Sequence, residues 1–146
     1  MPTSTTPWTA RFARHLPTQC TLCRGWGESR LCAPCVERFA APVPRCSRCA
    51  LRVPAGVERC GACLAAGPAF DAAVSAVDYA WPWDGLVAHF KFHAALDLAP
   101  ALAQRMADAW RARQLEAPHW VLPVPLARQR LRQPGYNQAW ELARPV

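Results

Sequence analysis

The sequence predicts an α/β chain in two parts: an N-terminal double zinc ribbon, residues 20–67, then an incomplete parallel-sheet domain, residues 68–146. Three observations carry this. All eight cysteines precede Pro68, and every one falls in a Cys-x-x-Cys pair. Beyond Pro68 the apolar residues switch between a strand period and a helix period. The composition is 52% apolar and 18% charged, enough for a core in a chain broken by 15 prolines.

Residues 1–19 form a separate N-terminal segment. It is rich in Thr and Arg and contains no acid. It lacks the apolar centre of about 7–15 residues that a secretory signal needs, and it shares only basic, acid-free composition with transit peptides. A short docked helix is expected around Thr9 to Leu16. No run of ~18 apolar residues occurs, so no membrane insertion is expected and the cytoplasm is the default location.

The ribbon part rests on Cys20/Cys23, Cys32/Cys35, Cys46/Cys49 and Cys60/Cys63, separated by 8, 10 and 10 residues. Two thiolates two residues apart can share one tight turn and aim at one ion. Two such turns complete a tetrahedral four-cysteine set, which suits zinc. Disulfides, an iron–sulfur cluster and a redox pair are the competing readings. The four pairs can combine into two sites in three ways. Neighbouring pairs close the shortest loops and cost the least entropy, which favours Cys20, Cys23, Cys32 and Cys35 as one site and Cys46, Cys49, Cys60 and Cys63 as the other. Each half is too small to bury a core, so the metal supplies folding energy. Four protein sulfurs leave no open position, which marks two structural zinc ions. The formal charge of +7 then falls to about +3, because eight thiolates outweigh two Zn²⁺ ions. That is too little to imply nucleic-acid binding by itself.

In the second part, "FDAAVSAVDYAW" alternates around Val74, Val77 and Tyr79 and predicts a strand. "WDGLVAHFKFHAAL" predicts a helix capped by Asp84, with Leu86, Val87 and Phe90 on one face. Asp97 and Pro100 open a second helix, in which Leu98, Leu102, Met106 and Trp110 recur every four residues, ending near Gln114. "HWVLPVPL" predicts a strand buried on both faces. A further helix begins at Asn137. His89, His93 and Asp97 recur every four residues, but eight positions of helix span ~12 Å, too far for one ion.

The stretch "PVPLARQRLRQPGYNQ" would occupy the crevice beyond the carboxyl end of that second strand, where ligands of parallel sheets bind. Gly135 permits a tight turn, Asn137 can cap the next helix, and Arg128, Arg130 and Arg132 suit phosphate. The competing reading is a solvated basic loop before a capped helix.

Taken in order, the four Cys-x-x-Cys pairs, "VDYAWPWDGLVAHFKF" and "PVPLARQRLRQPGYNQAWELAR" resemble the competence protein F (ComF) family. That resemblance covers about Cys20 to Arg144. It implies a double zinc ribbon and a type I phosphoribosyltransferase-like domain, with phosphoribosyl pyrophosphate as the ligand of the complete fold. Arg130, Gly135, Asn137 and Gln138 match its pyrophosphate-side loop, although Pro134 stands where the family has arginine. The adjacent acids and Thr-rich loop that hold the ribose phosphate in such transferases have no counterpart here. The resemblance therefore implies a C-terminally truncated member without transferase activity, and no catalytic residue is assigned. It also implies an association with competence and DNA uptake, with single-stranded DNA or the uptake machinery as partner. The alternative is a non-enzymatic zinc-ribbon module that binds nucleic acid or protein.

Overall fold

The computed structural model describes residues 17–127 and 136–145. The chain opens on a small antiparallel pair, β1 (Thr18–Gln19) and β2 (Trp26–Gly27), with Gln19 opposite Trp26. Helix α1 (Ala33–Phe39) follows, then α2 (Gly61–Ala65). Past Pro68 come α3 (Trp83–Phe92), a 3-10 turn at Leu96–Leu98, α4 (Ala99–Ala112) and α5 (Gln138–Ala143).

The helices form where the apolar spacing and the breakers require. In α3, Trp83, Leu86 and Phe90 fall on one face and are buried. In α4, Pro100 sits in the first turn, where its missing N–H costs nothing. Leu98, Leu102 and the small Ala99 and Ala103 bury its near face, while Met106, on the same four-residue stripe, stays exposed. Asp97 does not cap α4. Its carboxylate instead pairs with Arg30 Nε at 2.9 Å, reaching back to the first ribbon. Asn137 does cap α5: its Oδ1 accepts from the N–H groups of Ala139 and Trp140.

One core holds the chain together, and it crosses Pro68. Leu31 of the first ribbon is buried with Trp83, Leu86, Phe90, Leu98, Ala99 and Leu102, and Leu22, Val36 and Phe39 pack against them. Trp83 donates its indole N–H to the Phe39 carbonyl at 2.7 Å, which closes the C-terminal end of α1 onto α3. Burial of each large side chain stabilises by roughly 1.5–3 kcal/mol, so this cluster is the main apolar contribution.

The second ribbon has no such share. Its buried cluster is Cys46, Val53 and Cys60, with Cys49 and Cys63 against it. It joins the rest through polar contacts. Arg45 pairs with Asp78 at 2.6 Å, Arg48 donates to the Pro68 carbonyl, Ala73 N–H donates to the Arg48 carbonyl, and Arg113 donates to the Ser47 carbonyl at 3.0 Å.

The two expected strands are not formed among the described residues, and no parallel sheet is seen there. From Phe70 to Trp81 the chain runs irregularly, with Val77 against the core. From His119 to Ala127 it is irregular and lies outside every sheet pairing. The expected two-sided burial is reversed: Trp120 and Leu122 are 82% and 84% exposed. Strand periodicity marks residues able to pair, but a parallel strand forms only against a neighbour, and none is adjacent here. The expected helix at Thr9–Leu16 lies outside the described residues. Among the described residues no helix is long and apolar enough to cross a membrane.

Because the core is continuous, Phe90→Ala should cost about 3–5 kcal/mol. Urea unfolding followed by tryptophan fluorescence should show the first ribbon and α3–α4 lost in a single transition. A variant in which the ribbon outlasts the helices would contradict the shared core.

Candidate metal centres

The structure gathers the eight cysteines into two groups, Cys20, Cys23, Cys32 and Cys35, and Cys46, Cys49, Cys60 and Cys63. Within each, all four sulfurs lie within 4.8 Å of one another. These are the neighbouring pairs that short loop closure favours. None is in a disulfide.

Both groups are built from the same two turns. In the first turn, the carbonyl of the leading cysteine accepts from the N–H four residues on: Arg24 to Cys20 at 2.9 Å, Ala50 to Cys46 at 3.0 Å. Its own N–H donates one residue further, to Gly25 and to Leu51. The flanking residues pair across the hairpin, Gln19 with Trp26 and Arg45 with Arg52. Closing this turn forces the residue after the second cysteine into the left-handed region. Arg24 has φ 62° and Ala50 φ 61°. Glycine would be at ease there, and neither site has one, so each turn carries a backbone cost of about 1–2 kcal/mol. The sequence shows the missing glycines but not the angle that makes them matter.

In the second turn, the third cysteine is the N-cap of a short helix and the fourth lies in its first turn. Cys32 precedes α1 and Cys60 precedes α2. The N–H of Val36 donates to Cys32, and that of Leu64 to Cys60. Both sulfurs of the second pair thus lie at the N-terminal end of a short helix. Pro34, in the first turn of α1, is the sequence signal for this arrangement.

The donor set fits zinc. A Zn–S bond of ~2.3 Å gives a tetrahedral edge of about 3.8 Å. The Cys23–Cys32 and Cys49–Cys60 sulfurs are each 3.6 Å apart. Backbone N–H groups orient the inner sulfurs: Cys32 N–H points to Cys20 Sγ at 3.5 Å, and Cys60 N–H to Cys46 Sγ at 3.4 Å.

Electrostatics divides each group. Burial opposes ionisation of Cys20, but the N–H groups of Cys32, Cys23 and Leu22 outweigh it and bring the thiol down to about 6. The N–H groups of Cys60 and Cys49 likewise bring Cys46 down to about 6, against burial. Burial, reinforced by the neighbouring thiols, pushes Cys35 and Cys63 up to about 12. Without a cation, each group therefore holds thiolate at its first cysteine and thiol at its fourth near neutral pH. A divalent ion is what allows the fourth to ionise.

The residues expected on the pyrophosphate side divide differently. Arg130 and Gly135 lie outside the described residues. Asn137 spends its Oδ1 on the N-terminus of α5, and its Nδ2 reaches the Val124 carbonyl at 3.4 Å. Gln138 donates to the Lys91 carbonyl, and the Tyr136 hydroxyl to the Phe90 carbonyl. These side chains tie the start of α5 to the end of α3, a role their sequence positions did not suggest. His89 and His93 place their rings 5.0 Å apart near the end of α3, with Asp97 committed to Arg30.

Among curated proteins the chain is similar to competence protein F of Haemophilus influenzae, 33% identical over 128 residues, covering 83% of this chain. The match spans 56% of that protein's length. No family model matches the chain, and no solved structure does.

Metal analysis of the purified chain should give two zinc ions, falling to one in Cys35→Ala and to one in Cys63→Ala. Zinc titration near neutral pH, in buffers of differing ionisation enthalpy, should show net proton release, because Cys35 and Cys63 enter as thiols. Affinity should fall as pH is lowered from neutral, and more steeply below about 6, where Cys20 and Cys46 gain protons that also compete with the metal. Arg24→Gly should raise stability by about 1 kcal/mol by relieving the left-handed residue, a gain read by thermal unfolding.

Proposed function

We propose that this chain is a member of the competence protein F family with a competence-associated role, in which two structural zinc ions fix the N-terminal ribbons. The observation that carries this is a 33% identity to competence protein F in a chain whose cysteines gather into two closed four-sulfur groups. Closed sets of this kind hold a fold and leave no coordination position for substrate. The chemistry therefore belongs to the second part.

There, the stretch Pro123 to Gln138 is a phosphoribosyltransferase-like loop that binds the pyrophosphate of phosphoribosyl pyrophosphate through Arg130, Gly135, Asn137 and Gln138. Support comes from the basic character of the stretch and from α5 starting directly after it, with Asn137 as its cap. Pyrophosphate binding is the step that these residues supply; no two acidic residues are adjacent among the 146 to grip the ribose hydroxyls. In this reading Asn137 acts through the helix it caps, and Arg130 supplies the charge.

A second reading has the ribbons bind single-stranded DNA. Trp26 favours it: the side chain is 71% exposed on the β2 strand, two residues from Arg24, and an exposed indole can stack on a base.

Titration calorimetry separates the two. Pyrophosphate should bind the zinc-loaded chain, and Arg130→Ala should weaken it by about tenfold, the worth of one charge-assisted contact. Gln138→Ala should do so less. Trp26→Ala should leave pyrophosphate binding unchanged. Absence of pyrophosphate binding, together with oligonucleotide affinity that falls in Trp26→Ala, would reject the loop reading in favour of the ribbon one.

A further inference from the structure

A cleft of about 420 Å³ lies where the second ribbon, the linker after α1 and the C-terminal half of α4 meet. None of the eight cysteines lines it, and neither does any described residue of the stretch from Pro123 to Gln138. Its walls are mostly small apolar residues, seven of them alanine, broken by Ser75, by Arg45, Arg105 and Arg113 and by a single acid, Asp108. Small-molecule sites have this character and size: apolar walls, a few convergent polar groups, ~300–1,000 Å³.

The charge is unbalanced. Asp108 already accepts from Arg105 at 2.5 Å, from Arg111 at 2.7 Å and from Gln104 at 2.8 Å. Arg45 is paired with Asp78. Arg113 donates to the Ser47 carbonyl, and among the described residues it forms no ion pair. Residues 1–16, 128–135 and 146, which lie outside the described residues, contain no Asp or Glu. The negative end of the α4 dipole lies close by, and Arg111 and Arg113 more than offset its half charge. Arg113 is thus a part-buried guanidinium with a planar fork of donors at the edge of an apolar cleft. That fork matches carboxylate and phosphate oxygens in pairs.

We infer that this cleft binds a small organic oxyanion, a carboxylate or phosphate ester with a compact body against the alanine walls, and that Arg113 is its anchor. Occupancy would bridge the second ribbon and Arg113 at the end of α4. It would add a ligand contact to a junction where Arg45, Arg48 and Arg113 already reach across. The inference is independent of the pyrophosphate loop and of the family reading.

Calorimetric titration of the zinc-loaded chain with adenosine monophosphate and, separately, with citrate tests it. At least one should bind saturably at a single site. A preference for the nucleotide assigns a phosphate ester, and a preference for citrate a polycarboxylate. Binding should weaken at least about tenfold in Arg113→Gln, the loss of one charge-assisted pair. It should weaken equally in Ala109→Met, which fills the cleft and leaves the Arg113–Ser47 contact in place. Arg130→Ala should leave it unchanged, and zinc content should stay constant throughout. Failure of both probes to bind would overturn the inference, as would binding that survives Arg113→Gln and Ala109→Met, or binding that is lost in Arg130→Ala.

Discussion

Four sulfurs held within 4.8 Å of one another are the constraint on which the N-terminal half depends. As thiolates they repel, and as thiols they waste the N–H groups aimed at them. Only a cation makes the arrangement favourable. The divided ionisation within each group expresses this. The first cysteine is held as thiolate by backbone donors, and the fourth is kept protonated by burial and its neighbours. The left-handed residues at Arg24 and Ala50 are a further cost that the ligand geometry must offset.

The two centres are alike in construction and unlike in support. The first sits on the main apolar core through Leu31, Leu22 and Val36. The second has Val53 and its own cysteines, and it is held to the rest by arginines reaching carbonyls and Asp78. Its stability is accordingly more metal-dependent and more sensitive to salt and to loss of single polar contacts. Arginine suits this junction. A guanidinium can bond a carbonyl and a carboxylate at once, as Arg45 does with Ala50 and Asp78.

The metal sites were legible in the sequence because spacing alone brings Cys-x-x-Cys sulfurs together, and loop length selects the pairing. The helices were legible too, since Leu86, Phe90, Leu98 and Leu102 carry the helical period without help from distant residues. Asn137 was readable as a cap for the same local reason. Asp84 lies one residue inside α3, whose N-cap is Pro82, and Asp97 was not readable as a non-cap because it is drawn to Arg30, 67 positions earlier in the sequence. The strands failed on the same principle. Val74 to Tyr79 has the right alternation and Val121 to Leu126 the right apolar run, but pairing is a property of two segments and such patterns report only one. The shared core across Pro68 was also hidden, as nothing local shows that Leu31 meets Trp83.

X-ray absorption at the zinc edge of the purified chain tests the central claim most directly. Two closed four-cysteine centres predict a first shell of four sulfur atoms at ~2.3 Å, with no nitrogen or oxygen, and the same shell in variants that retain only one group. A first shell containing nitrogen or oxygen, or fewer than four sulfurs per zinc, would contradict it.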